Sequence, residues 1–295
     1  MKEKIDVMIV GAQKAGTTSL LRYLGEHPDC MAHPQKEFAY FIDEQEFKQG
    51  INAAFYKYYS SETPLTPQKI IAKNAGLYTR SESLKRLKEH NPQCEIILIL
   101  RNPVERAYSS YLMEKNYGSA KFDFSELPYL INSHLEKDES WGFSFFIDYG
   151  LYVNYLKLIY SYFPKEQVSV VLYRDFKNSP KEICSYLFKK IGVESSFVPD
   201  TDVKHNVTLK TRSTVVARAI KHVLKRDGLV RKTLTQLIPS NKAYKYGELL
   251  REANKTNEKH TIMDSEVRQF LVNFYKPYNL ELEKLIGQDL SEWNK

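Results

Sequence analysis

The chain has 295 residues, 42% of them hydrophobic and 27% charged, ordinary values for a globular protein long enough to bury a sizeable core. Its formal net charge of +7 favours an anionic partner, but no nucleic-acid motif accompanies it, so nucleic acid is not expected. No apolar run approaches the ~18 residues of a spanning helix, no h-region or cleavage site opens the chain, and Cys30, Cys94 and Cys184 lie far apart without metal-ligand spacing, which together predict a cytoplasmic protein with reduced thiols, no integral membrane segment and no zinc site.

Residues 5–10 form a short apolar run that predicts a buried strand. Leu20, Leu21 and Leu24 mark the apolar face of a helix over 17–26. Between them lies GAQKAGTTS, residues 11–19. Strand, glycine-bracketed loop and helix N-terminus make a cradle of backbone N–H groups for an anionic phosphate. The loop resembles the G-x-x-x-x-G-K-[ST] phosphate loop of triphosphate-binding proteins, with one displacement. Thr17 stands at the lysine position, and the lysine is Lys14, inside the loop. A lysine there reaches the bridging, leaving-group side of a bound phosphate, so a ligand other than ATP is expected.

Residues 69–73 read as a short strand, 81–89 as a helix ended by Asn91-Pro92, and 95–100 (EIILIL) as a core strand. A helix follows near Pro103, a residue favoured in a first turn. Arg101 stands at the carboxyl end of the 95–100 strand, where open α/β sheets bind ligands, and Ser109 falls two turns into the next helix. A guanidinium fork and a hydroxyl suit a second phosphate. A helix over 151–163, a third core strand over 168–173 and a helix over 180–192, closed by its glycine, come next.

From about 200 to 255 the pattern loosens and becomes basic, with Lys204, Lys210, Arg212, Arg218, Lys221, Lys225, Arg226, Arg231 and Lys232. Val215, Val216, Ala219, Ile220, Val223 and Leu224 recur there at helical spacing, predicting a partly helical segment packed on the domain body as a lid or acceptor-side element. Residues 264–274 and 279–286 predict two helices separated by Lys276-Pro277. The alternation of strands and helices predicts an α/β fold of the P-loop-containing nucleotide-binding kind, with a central, mainly parallel sheet flanked by helices. Residues 1–295 read as a single domain.

Two phosphate sites on one sheet imply a ligand phosphorylated at both ends of a nucleoside. The loop GAQKAGTTSL, then HPDC, HPQKEFAYF, RNPVERAYSSY, GLYVNYLKLIYSYF, VVLYRDFKNSP and LIGQDLSEW, resembles sulfotransferases that use 3′-phosphoadenosine 5′-phosphosulfate (PAPS). The resemblance is to their heparan-sulfate-type and bacterial branch, and it covers most of the chain. It implies that Lys14, Ala15, Gly16, Thr17, Thr18 and Ser19 hold the 5′-phosphosulfate, that Arg101 and Ser109 hold the 3′-phosphate, and that the product nucleotide is adenosine 3′,5′-bisphosphate (PAP). It implies Glu37 as general base, with Lys36 and Lys14 steadying charge at the sulfonate and bridging oxygen. The resemblance also implies Tyr173 near the adenine ring, although a residue ending a core strand could equally be packing, and Lys210 and Arg212 in a basic loop that closes over the 3′-phosphate.

His33 is the rival base, because the small-molecule branch uses a histidine; preceding a proline in an extended turn, it also fits a structural role. Lys73 and Tyr78 resemble an acceptor-side K-[ST]-P-x-Y element, although this chain reads KNAGLY, without the proline. No metal is implied, since lysines and loop amides take the place that Mg²⁺ holds in phosphoryl transfer. The implied reaction is sulfuryl transfer to a hydroxyl or amine, on a glycan or alternatively on a small natural product such as an alkaloid. Two other classes stay open: an ATP-dependent small-molecule kinase, which leaves Thr17 unexplained, and a basic polymer-binding module resting on charge alone.

Overall fold

The computed structural model describes residues 4–59, 69–120, 122–137, 144–202, 212–213, 215–216, 249–250, 253–254, 256 and 262–295. Its sheet consists of β1 (Val7–Gly11), β2 (Cys30–Ala32), β3 (Lys69–Lys73), β4 (Glu95–Leu100) and β5 (Val168–Leu172), all parallel, in the order β2-β3-β1-β4-β5. The strands are near-continuous aliphatic runs buried at most positions, as expected of strands covered on both faces. Parallel pairing requires crossovers, and helices supply them. They are α1 (Thr17–Gly25), α2 (Glu44–Gln49), α3 (Ile51–Tyr59), α4 (Ser81–His90), α5 (Pro103–Asn116), α6 (Leu127–Lys137), α7 (Ser144–Ile147) and α8 (Tyr152–Tyr162). After β5 come α9 (Tyr173–Asn178), α10 (Pro180–Ile191) and α11 (Ser265–Ile286).

β1 is the centre of the sheet, with β3 on one side and β4 on the other, so the chain leaves β1 where strand order reverses. The β1–β4 register shifts between Ile9 and Gly11, and the Ala12 amide then donates to Ile99 O at 2.8 Å. Gly11 is needed there for close approach. A Cβ on it would fall 2.4 Å from Tyr78 Cδ1, in a ring that is itself fully buried. Gly11→Ala is expected to destabilise the protein by about 1–3 kcal/mol through overpacking, read as a lowered urea midpoint. An unchanged midpoint would mean that the Tyr78 ring yields freely.

The chain divides into two compact units, one of Met1–Arg106, Phe143–Asn206 and Val272–Lys295, the other of Ala107–Gly142 and Val207–Leu271. The first carries the whole sheet. In the second, the rings of Tyr108, Tyr111, Phe122 and Phe124 pack together, and Asp123 caps the short 3-10 turn Phe124–Glu126.

Two sequence expectations are corrected, and two helices form where none was assigned. The strand over 168–173 ends at Leu172, and Tyr173 opens α9 instead. Residues 44–59, which carried no assignment, form α2 and α3, with Asp43 accepting from the amides of Gln45 and Glu46 as N-cap. Finally, α11 runs unbroken through Pro277. Tyr275 on one side is buried and donates to Ile147 O at 2.9 Å, while Asn279 on the other is buried and donates to Asn294 Oδ1 at 3.0 Å. Packing on both sides of the proline outweighs its missing hydrogen bond. Of the helix expected near 215–224, only Val215 and Val216 are described, as helical and exposed; the others lie outside the described residues.

Candidate active site

The loop after β1 passes twice through left-handed backbone, at Lys14 (φ 71°) and Gly16 (φ 86°). Glycine is required at the second, because Tyr173 Cε2 and Phe176 Cε1 each lie 3.2 Å from where a Cβ would stand. Gly16 is also the N-cap of α1, and its carbonyl accepts from the Leu20 amide at 3.1 Å. The first amides of an α-helix have no acceptor within it and carry the positive end of its dipole. Thr17, Thr18 and Ser19 supply those amides here, while Ala15 is buried and turns back to Ala12 O at 3.1 Å.

Arg101 leaves the end of β4 and donates from Nη1 to Lys14 O at 3.0 Å, which ties down the left-handed lysine. Its guanidinium lies 5.2 Å from the Tyr173 ring centroid, and its own carbonyl accepts from Tyr152 Oη at 2.8 Å. Burial, and after it the charges of Lys36 and Arg101, pull the Lys14 amine down to about 8. Three cations thus converge on a loop whose amides already favour an anion.

A carboxylate faces this loop through an unusual link. Lys73, at the end of β3, is 1% exposed, and its Nζ donates to Glu37 Oε1 at 2.9 Å and to Thr18 Oγ1 at 3.2 Å. One ammonium therefore joins the phosphate loop to the carboxylate. Burial, the largest influence on Lys73, lowers its pKa against the opposing pull of Glu37. Glu37 Oε2 accepts from the Ala75 amide at 2.9 Å, yet the side chain keeps 38% of its surface exposed, so it reaches solvent. Lys36 beside it is exposed and near enough to depress both Lys14 and Lys73.

Four more of the expected site residues are described. His33 is 3% exposed among the rings of Phe38, Tyr58 and Tyr59, and its Nε2 accepts from the Lys73 amide at 3.1 Å. Burial, then the Lys73 charge, drives its imidazole down to about 4. This packing fits the structural role that its place before a proline allowed. Tyr78 is fully buried against Gly11 and donates to Tyr149 O at 2.6 Å. Ser109 is a half-buried residue of α5 in the second unit, and Arg212 is exposed there, with its amide donating to Asn254 O at 2.7 Å. Lys210 lies outside the described residues.

Sequence reasoning missed Phe176, which fences Gly16, and the Ala75 amide on Glu37. Arg106, within RNPVERAYSSY, is fully buried and donates to Phe146 O. Among the described residues, no group of three or more His, Cys, Asp and Glu side chains is placed to hold a metal ion, and no helix is long and apolar enough to cross a membrane.

The sulfotransferase domain family profile matches residues 4–284, and so extends over both compact units. Bifunctional heparan sulfate N-deacetylase/N-sulfotransferase 3 of Mus musculus is 23% identical over 303 residues, which covers 97% of this chain and 30% of that protein. The membrane-associated sulfotransferase kil1 of Dictyostelium discoideum is 34% identical over 105 residues, 35% of this chain and 22% of its own length. The chain therefore spans less than a third of these curated relatives. A solved sulfotransferase structure from Alicyclobacillus acidocaldarius shares the fold, with a TM-score of 0.68, 22% identity and 99% of each chain covered.

Proposed function

The chain belongs to the sulfotransferase domain family, and from that premise we propose that it moves a sulfuryl group from PAPS to a hydroxyl or amine of a glycan, both compact units acting as one domain. The observation that carries this reading is the buried Lys73 ammonium, shared by Thr18 of the phosphate loop and the solvent-reaching Glu37. It sets a carboxylate beside an anion-binding loop, where it can take the proton of an acceptor. Heparan sulfate in the names of the relatives supports the glycan.

The loop fits such a donor because mutual repulsion of Lys14, Lys36 and Arg101 is relieved by an anion among them. When bound, PAPS supplies the activated sulfuryl group on a phosphate leaving group. Lys14 and the amides of Thr17, Thr18 and Ser19 bind its 5′ end, and Arg101 holds the 3′-phosphate. Tyr173 packs beside the adenine. Glu37 takes the acceptor proton on a carboxylate oxygen, Lys73 holds that carboxylate in place, and Lys36 adds positive charge at the sulfonate.

Calorimetry with PAP and with ATP–Mg²⁺, followed by ³⁵S transfer from PAPS to desulfated glycans and to small phenols, tests the reading. Binding of PAP without metal and labelling of a glycan are expected. Tight binding of ATP–Mg²⁺ with indifference to PAP would overturn it. Acidity adds a second check. An anion pairs with protonated Lys14, so PAP affinity should hold steady between about pH 7 and 8, where the PAP phosphates are ionised, and weaken above it, by up to about tenfold per pH unit. Calorimetry across that range in the wild type and in Lys14→Ala should show the slope in the first and its loss in the second.

A further inference from the structure

The dipeptide Glu37-Phe38 is fastened to the β3 exit at four points. Two are the Glu37 carboxylate contacts with Lys73 Nζ and the Ala75 amide, each 2.9 Å. The third is the Phe38 amide, which donates to Lys73 O at 2.7 Å. The fourth comes from a side chain: Asn74 Nδ2 donates to Phe38 O at 3.0 Å. Asn74 is 8% exposed, and each of its polar groups is engaged. Its own amide donates to Ile9 O at 3.0 Å, its carbonyl accepts from the Leu77 amide at 3.1 Å, and its Oδ1 accepts from the Gly76 amide at 3.2 Å.

This set of bonds gives Asn74 a particular place. Its main chain is held by β1, the strand that delivers the phosphate loop, and its side chain holds the peptide that carries Glu37. The Oδ1 bond to Gly76 also shapes the turn that points the Ala75 N–H at the carboxylate. A buried amide with both ends committed has one rotamer to occupy, and loss of its Nδ2 donor would take this partner from the carbonyl of the buried Phe38. Serine or threonine, shorter by an atom, would not span both Phe38 O and the Gly76 amide from this position.

We propose that Asn74 is a positioning residue, which sets Glu37 in register with the phosphate loop by linking the Phe38 peptide to β1. The role rests on the reading of Glu37 as the base. Asn74→Ala, Glu37→Gln and the double variant are compared in ³⁵S transfer from PAPS, with long incubations for the slow ones. Asn74→Ala is expected to lower kcat by about 10–100-fold through misplacement of the base. Donor KM and PAP affinity should stay within about twofold, since the loop amides are not its contacts. In the Glu37→Gln background the same substitution should cost less than about twofold. An equal loss in both backgrounds, or an unchanged kcat, overturns the role.

Asn74→Asp keeps an acceptor for the Gly76 amide but has no donor for Phe38 O. It should lose kcat as the alanine variant does, and it serves where that variant fails to fold. Hydrogen exchange of the Phe38 amide supplies a readout that needs no turnover: the Asp variant should exchange faster there than the wild type. Unaltered exchange overturns the link whatever the activity, whereas full activity in Glu37→Gln overturns the base and leaves the link standing.

Discussion

Glu37→Gln is expected to reduce turnover by about 10²–10⁴-fold, the contribution of a positioned general base, while PAP affinity stays within about twofold. Glutamine is close in shape, and its amide oxygen can still accept from Ala75 as Glu37 Oε2 does. It cannot accept the acceptor's proton at neutral pH. The substitution also takes the negative charge from a lysine that is 1% exposed, so some loss of thermal stability should accompany the loss of activity. Nucleotide binding separates the two effects. A protein that still binds PAP but no longer transfers sulfuryl has lost the base; one that loses both has lost the fold around β3. Full activity in Glu37→Gln would remove this residue from the chemistry.

Lys14→Ala should cost about 10²–10³ in kcat, comparable to deleting one donor from a site that stabilises developing negative charge. Charge builds on the bridging oxygen as the sulfuryl group departs, and an ammonium held in the loop meets it without reorganising. The position is enforced from two directions: left-handed backbone at Lys14 itself, and Arg101 on its carbonyl. Alanine removes the ammonium and leaves that carbonyl for Arg101, so the loop should persist. Unlike Glu37→Gln, this variant should also weaken PAP. Loss of PAP affinity alone, with kcat intact at saturating donor, would make Lys14 a binding group and shift the charge stabilisation to Lys36.

The parts of the fold that could be read in advance are those whose signal is local. β1, β4 and the core of β5 are uninterrupted aliphatic runs, as strands buried on both faces are. The phosphate loop is likewise contiguous, and its glycine bracket survives in the left-handed turn at Gly16. What could not be read depends on partners distant in sequence. Glu37 meets Lys73 and Ala75 across 36 and 38 positions, and nothing in HPQKEFAYF indicates which strand end will receive it. His33 read as the rival base or as a structural residue before its proline, and the rings of Phe38, Tyr58 and Tyr59 that surround it come from outside its own stretch of sequence or are not marked by it. Pro277 misled for the opposite reason: the local rule was sound, but buried Tyr275 and Asn279 on either side overrode it.

The depressed Lys14 amine has a chemical consequence of its own. At pH 7 an amine titrating near 8 offers its lone pair in roughly one molecule in ten, against a few in ten thousand for an ordinary lysine. Mild electrophiles such as activated esters or aryl sulfonyl fluorides should therefore acylate or sulfonylate this position well ahead of solvent-facing lysines. A covalent probe built on that difference would tag the loop selectively, and a nucleotide seated there would shield it.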